Sequence, residues 1–184
     1  MDLTGKLLIA MPGMGDPRFE KSVVFMCAHS AEGAMGLIVN KPATEIRFTH
    51  LLEQLSIELR APGPLPEVHF GGPVEHGRGF VLHSGEYGAN PATLRVDHRF
   101  AMTATLDVLE DIAAGRGPGS CLLALGYSGW GPGQVEGELK DNAWLVGEAD
   151  EAVVFSRNHA GQWSAALTAM GIDPVMLSGA AGRA

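Results

Sequence analysis

The sequence is dense in the two residues that interrupt regular secondary structure, with 25 glycines and 11 prolines among 184 residues. Proline fixes φ and lacks a backbone N–H, and glycine weakens the interior of helices and strands. Long regular elements are therefore excluded over much of the chain, and many short elements joined by tight turns are predicted. A chain of this length suits one hydrophobic core, so residues 1–184 are expected to form a single domain.

Apolar residues follow two different periods along the chain. Residues Phe48, Leu51, Leu52 and Leu55 are spaced i, i+3, i+4, i+7, which predicts a helix, and a similar stripe covers residues 102–113. Short apolar runs, such as those at 22–28 and 121–125, predict buried strands. Strands and helices do not alternate regularly, which favours an α+β fold over a doubly wound sheet. The proline-rich stretch 61–66 is predicted to be a surface connection.

Charge and cysteine content narrow the functional classes. The net charge of −8 at pH 7 disfavours direct nucleic-acid binding, and the basic residues do not cluster. No apolar stretch approaches the roughly 18 residues needed to span a bilayer. Cys27 and Cys121 lie in apolar runs, where a thiol behaves as a small hydrophobic group. We predict a reduced, cytoplasmic protein without membrane segments.

A glycine-rich stretch, GYSGWGPG at 126–133, follows a predicted strand and precedes a predicted helix. Phosphate-binding loops need that context, but the lysine of a P-loop is missing and the dinucleotide spacing G-x-G-x-x-G closes one residue early. Ser128 has Trp130 where the nucleophile elbow G-x-S-x-G needs its second glycine. We therefore predict a rigid turn that packs Trp130 into the core.

Histidines and cysteines offer further candidates for chemistry. Residues 67–70 and 79–83 are predicted to form a hairpin around GGP at 71–73, in which His69 and His83 would face each other and could bind zinc or iron. Cys27 and His29 would share a strand face as a possible thiolate–imidazole pair. Ordinary strand histidines and a core cysteine explain the same residues, and no H-E-x-x-H spacing is present. We predict no metal and no cofactor.

Four ordered segments together carry a family resemblance. They are GKLLIAMP (5–12), followed by Asp16, Phe19 and SVV (22–24); GAMGLIVNKP (33–42); GGPV (71–74) with RGFVLH (78–83); and LGYSGWGPGQ (125–134) with Glu136 and Trp144. The chain resembles the bacterial AlgH/YqgE family. The resemblance implies a single α+β domain whose bifurcated mixed sheet folds as a partial barrel with flanking helices. Members are often described as transcriptional regulators, but this chain shows no helix-turn-helix pattern and no basic recognition helix.

The residues that carry the resemblance are concentrated in predicted loops, which we expect to converge on one surface. The predicted binding surface consists of Asn40, Lys41, Gly71, Gly72, Pro73, Tyr127, Gly129, Trp130, Gly131 and Gln134. The leading hypothesis is a non-enzymatic regulatory factor that binds a protein partner or a small ligand there. One alternative is an enzyme, either a hydrolase or thiol-dependent, using Ser128, Cys27 or nearby histidines. Another is a transcriptional regulator that binds DNA directly. A structural alternative is that the glycines and prolines only form the corners of a folded barrel.

Overall fold

Short strands dominate the architecture, as the glycine and proline content predicts. The computed structural model describes residues 1–61, 63–88 and 90–180, so Pro62, within the predicted connection, lies outside the described residues. The strands in this part of the chain are β1 (Lys6–Ala10), β2 (Val23–Ser30), β3 (Gly33–Ile38), β4 (Val68–Phe70), β5 (Val74–Ser84), β6 (Thr93–Arg95), β7 (Phe100–Thr103), β8 (Cys121–Trp130) and β9 (Trp144–Glu148).

Six α-helices occur in the same described ranges: α1 (Phe48–Gln54), α2 (Leu106–Ala113), α3 (Gln134–Lys140), α4 (Glu151–Val154), α5 (His159–Ala169) and α6 (Pro174–Ala180). The helix predicted from the stripe at Phe48 is confirmed. The stripe at 102–113 is only partly helical, because Met102 belongs to β7 and pairs with Leu82. None of the helices that the structure describes has the length and apolar character needed to cross a bilayer.

The sheet curls into a half-barrel with the strand order β6-β7-β5-β8-β3-β2-β1-β9. Strand β4 lies off this path and pairs with β8 in parallel, whereas the other pairings are antiparallel. The predicted α+β class and the bifurcated mixed sheet with flanking helices are confirmed. The fold is therefore best understood from β8, where the sheet divides.

Strand β8 is shared between two branches of the sheet. Its first half pairs with β5 on one edge and with β4 on the other, through Val68 opposite Leu123. Its last three residues pair instead with β3, with Gly36 opposite Ser128. Gly126, at the transition between these partners, has φ +75°. One ten-residue strand thus joins both branches.

Two predictions for this region are wrong, and β8 explains both. Strands β4 and β5 do not form a hairpin, because β8 lies between them and pairs with each. The stretch 126–130, predicted as a turn, continues β8 because it pairs with β3. The prediction that Trp130 packs into the core is confirmed, since its side chain is 6% exposed.

Both faces of the β1–β3 branch are buried. On one face Leu7 and Phe25 belong to the largest core cluster, which also contains Trp163 and Leu167 of α5. On the other face a second cluster forms beneath α3, consisting of Leu3, Leu8, Ala10, Val24, Met26, Ile38, Trp130, Val135 and Trp144. A strand buried on both faces reads as a continuous apolar run, which is why β1 and β2 lack polar alternation.

Candidate functional site

The connection between β4 and β5 crosses β8 from one edge to the other. At Gly71 an added Cβ atom would lie 2.2 Å from the Gly126 carbonyl oxygen, and at Gly72 it would lie 2.2 Å from the Tyr127 carbonyl carbon. The buried Ser128 hydroxyl donates to the Gly71 carbonyl oxygen at 3.1 Å. Only residues without side chains permit backbones to cross this closely. The crossing fixes the position of Tyr127 on β8.

An open concavity of about 750 Å³ lies on the sheet next to this crossing. We call it the Tyr127 hollow. Strands β2, β3, β5, β7 and β8 and the turn between β2 and β3 line it through Ala28, His29, Ser30, Glu32, Gly33, Ala34, Met35, Val74, Arg78, Phe80, Met102, Tyr127, Gly129 and Trp130. Its lining combines aromatic and thioether groups with a few polar side chains. Surfaces of this composition are common at protein interfaces.

Tyr127 is held in the hollow by aromatic contacts. Its ring packs edge-on against Phe80, with 5.8 Å between ring centroids, and the Arg78 guanidinium lies 5.0 Å from the centroid of the same Phe80 ring. Tyr127 remains half-buried, and the neighbouring Gly129 is exposed. A Cβ atom at Gly129 would lie 3.3 Å from the Tyr127 ring. Glycine at this position therefore leaves the ring uncrowded.

The predicted surface residues divide into groups. Tyr127, Gly129 and Trp130 line the hollow together. Gly71 and Gly72 are buried at the crossing and Pro73 is half-buried after them. At the start of α3 the exposed Gly131 N–H donates to the Gln134 side-chain oxygen at 3.0 Å.

Asn40 and Lys41 are not part of the hollow lining, although the Lys41 carbonyl accepts from the N–H of Phe70, next to Gly71, at 2.9 Å. The Asn40 oxygen accepts from the Val23 N–H at 2.9 Å, and its amide nitrogen donates to the Lys21 carbonyl at 2.8 Å. The Lys41 ammonium donates to the Arg18 carbonyl at 2.8 Å. Both side chains thus hold the turn before β2 in place.

Replacing Asn40 with alanine is expected to lower the free energy of unfolding by about 2 kcal/mol. Two hydrogen bonds are lost, and the N–H of the buried Val23 is left without its acceptor. Asn40→Asp, which keeps the acceptor and loses the donor, should cost less. Urea unfolding measures both; equal stability of Asn40→Ala and the parent chain would contradict the assignment.

The nucleophiles considered from the sequence are not accessible. Burial raises the pKa of the Cys27 thiol to about 12, so this cysteine is not activated. Ser128 is fully buried. His29 accepts from the Leu3 N–H at 3.0 Å through Nδ1 and lies 2.5 Å from Glu136 through Nε2, so both ring nitrogens are engaged away from Cys27.

The predicted pairing of His69 with His83 is wrong, because these residues pair with opposite edges of β8. His83 is buried, and its ring nitrogens contact the Ser84 carbonyl at 3.0 Å and the Thr103 hydroxyl at 2.8 Å. His76 is exposed on β5. These three histidines do not share a site.

A different histidine pair forms a cluster that the sequence analysis missed. Potential ligand atoms of Glu67, His69 and His159 all lie within 4.8 Å of one another, the one such group of three found among the described residues. Glu67 and His69 are two residues apart in an extended segment, so their side chains lie on the same face. This spacing could have been recognised from the sequence. His159, at the start of α5, is brought in only by the tertiary fold. These residues could hold a metal ion.

The domain belongs to a class of α+β proteins in which the sheet curls into a half-barrel and one central strand is shared by two branches of the sheet. Comparison with known proteins makes the assignment specific: the chain belongs to the AlgH-like family, whose model matches residues 7–175. The resemblance noted in the sequence is therefore confirmed.

Relatives and solved structures agree with the family assignment. A UPF0301 protein of Ruegeria pomeroyi is 58% identical over 185 residues, and one of Cereibacter sphaeroides is 56% identical over 184 residues; each match covers 100% of both chains. The solution structure of AlgH from Pseudomonas aeruginosa has a TM-score of 0.78 and 40% identity, covering 100% of this chain and 97% of that one. A Corynebacterium diphtheriae protein, with a TM-score of 0.75 at 18% identity and covering 96% and 90% of the chains, shares the fold.

Proposed function

We propose that the protein is a non-enzymatic regulatory factor that acts in the cytoplasm by binding an extended segment of a protein partner in the Tyr127 hollow. The observation that carries the proposal is the end of β8. Its register with β5 stops at Val74 and Tyr127, yet β8 continues to Trp130 along β3. The edge facing away from β3 therefore lacks a strand partner at residues 129–130 in the described structure.

An unpaired strand edge is a template for an added strand. Main-chain hydrogen bonds to such an edge supply affinity, and pockets for alternate side chains supply specificity. The half-buried side chain of Tyr127 belongs to β8 itself and lines the hollow, whereas Met35 lines it from β3, across β8 from the free edge. Tyr127 offers an apolar contact to one face of a docked strand, which supports a peptide as occupant.

The shape of the hollow favours a protein partner over a small ligand. Small-molecule sites are enclosed enough to bury most of the ligand surface, whereas this concavity is broad, and Ala28, Ser30, Arg78 and Gly129 on its lining are exposed. The buried states of Cys27 and Ser128 support a non-enzymatic role for the site. The net charge of −8 supports an indirect regulatory action instead of DNA binding.

Site-specific photo-crosslinking in cells tests the proposal. A photoreactive phenylalanine at position 78, an exposed position in the hollow, is expected to give a discrete crosslinked partner. Tyr127→Asp should abolish that crosslink, and Tyr127→Phe should retain it. With the purified partner, Tyr127→Asp should weaken binding at least about tenfold, the scale of a central interface residue.

Position 175 provides the matched control for crosslinking. Val175 lies on α6, is 79% exposed and does not line the hollow. The same photoreactive group at position 175 should not capture the partner. Identical crosslinks from positions 78 and 175, or a crosslink from position 78 that survives Tyr127→Asp, would overturn the proposal.

A further inference from the structure

A small polar cavity lies between the start of β4 and the start of α5, away from the residues of the Tyr127 hollow. It has a volume of about 20 Å³ and is lined by Glu67, His69, Cys121, Leu122, Phe155, Ser156, Arg157 and His159. That volume accommodates a single water molecule or ion. The cavity shares Cys121 and Arg157 with an adjoining cleft of about 430 Å³.

His69 is a buried imidazole without hydrogen-bond partners. Its side chain is 2% exposed, and neither ring nitrogen makes a hydrogen bond in the structure, although the Glu67 backbone lies close by. A neutral imidazole has one nitrogen lone pair free, which is the form that binds metals. An unsatisfied buried polar group is costly, and a bound cation would remove that cost.

The hydrogen bonds of Gln162 fix the tautomer of His159. The Gln162 side-chain nitrogen donates to the Val153 carbonyl at 2.9 Å and to the Val39 carbonyl at 3.3 Å. Its oxygen is therefore left to accept from His159 Nδ1, 2.5 Å away. With the proton on Nδ1, the lone pair of neutral His159 is on Nε2. Metal-binding histidines are commonly oriented by such a hydrogen bond through the other ring nitrogen.

The lone pair of His159 points at another acceptor. Nε2 lies 2.6 Å from a carboxylate oxygen of Glu67. At 2.6 Å these two acceptors have room for a bridging proton, whereas a metal ion bound to both would hold them about 3.4 Å apart. Arg157 holds the other Glu67 oxygen at 3.2 Å and is itself anchored to the Leu65 carbonyl at 3.0 Å. Arg157, itself in the cavity wall, thus orients the carboxylate.

We propose that Glu67, His69 and His159 form a binding site for a divalent transition-metal ion, best matched by Zn²⁺. Two imidazoles and one carboxylate are a ligand set used by zinc sites with an open fourth position. Ligand atoms around a tetrahedral zinc ion are about 3.4 Å apart, so the Glu67–His159 separation of 2.6 Å has to open by about 0.8 Å, and the widest separation, at most 4.8 Å, has to close by at most about 1.4 Å. Glu67, whose side chain is 31% exposed, has room to move away from His159.

The fourth position is left to water. Cys121, also in the cavity wall, is not one of the three residues whose ligand atoms lie within 4.8 Å of one another. The site does not depend on the Tyr127 hollow and shares none of its residues. Metal binding and partner binding can therefore fail independently.

Calorimetric titration of the metal-free full chain with Zn²⁺ tests the site. We expect one ion per chain with a dissociation constant of about 1 μM or tighter, and a higher melting temperature with Zn²⁺ present because a ligand of the native state stabilises it. Replacement by Co²⁺ should give the visible absorption of a four-coordinate ion. His69→Ala and His159→Ala should each weaken binding at least about 100-fold.

Two further variants complete the test. His76→Ala removes an exposed histidine outside the cavity and should leave Zn²⁺ affinity unchanged. Glu67→Gln keeps the side-chain shape and should weaken binding at least about tenfold, which provides a readout even where a histidine variant fails to fold. Wild-type affinity in Glu67→Gln, or in a folded His69→Ala, would overturn the proposal, as would the absence of stoichiometric binding to the parent chain.

Discussion

Replacing Gly72 with alanine is expected to lower the free energy of unfolding by at least about 3 kcal/mol, and to prevent folding if the parent chain is marginally stable. The added Cβ atom would lie 2.2 Å from the Tyr127 carbonyl carbon and 2.4 Å from the Ser128 nitrogen. Both atoms are backbone in the central strand, so neither can rotate away. Gly72 also has φ +154°, which other residues rarely adopt.

Urea unfolding followed by circular dichroism measures this effect, and Gly137→Ala is the matched control. Gly137 lies inside α3 with no heavy atom within 4 Å of its added Cβ position. Alanine there should stabilise the chain by about 0.5–1 kcal/mol, because alanine has the higher helix propensity. A Gly72→Ala chain within 1 kcal/mol of the parent would contradict the tight crossing of β8.

The crossing also separates two interpretations of the glycine-rich segments. The interpretation that glycines only form corners applies to Gly71 and Gly72. A Cβ atom added at either residue would collide with atoms of β8. The interpretation does not apply to Gly129, which is exposed beside Tyr127. A surface function is therefore proposed for the end of β8 and a structural role for the crossing beneath it. Asn40 belongs with the structural residues because its hydrogen bonds are internal.

The local sequence pattern was sufficient to predict most helices and strands, but it was not sufficient to predict which strands pair. The i, i+3, i+4, i+7 spacing from Phe48 predicts α1 correctly because it reports one buried helix face. The parallel pairing of Val68 with Leu123 joins residues far apart in the chain, and nothing local distinguishes it from a β4–β5 hairpin. The bifurcated sheet was predicted from the family resemblance alone. Glycine at position 126 suggested a turn, whereas its positive φ accommodates a change of partner strand.

The candidate sites likewise differ in whether their residues are close together in the sequence or are brought together only by the fold. Tyr127, Gly129 and Trp130 are close in sequence, so their shared location on β8 could be predicted, although their place in a strand could not. The metal-ligand cluster needs His159, 92 residues after Glu67. Its presence depends on how α5 packs against the sheet, which a single sequence does not encode in any short spacing. Distant polar residues therefore have to be searched for in the fold.

Glu138, on α3, is expected to contribute strongly to stability because it accepts hydrogen bonds from two tryptophan indoles. One carboxylate oxygen accepts from the Trp130 indole N–H at 3.1 Å and from the Trp144 indole N–H at 2.9 Å, and the other accepts from Gln134 at 2.9 Å. Both indoles are buried in the core cluster beneath α3. Glu138→Ala would leave two buried donors unsatisfied, and we expect a loss of about 3 kcal/mol.

Tryptophan emission and urea unfolding together test this role, because Trp130 and Trp144 are two of the three tryptophans in the chain. Glu138→Ala should shift the emission and lower the unfolding midpoint, whereas Glu138→Gln, which keeps the oxygen shared by the indoles, should lose about 1 kcal/mol. Glu110→Ala, an exposed glutamate on α2, should stay within about 0.5 kcal/mol of the parent. If Glu138→Ala behaved like Glu110→Ala, the carboxylate would not be what holds α3 against the two indoles.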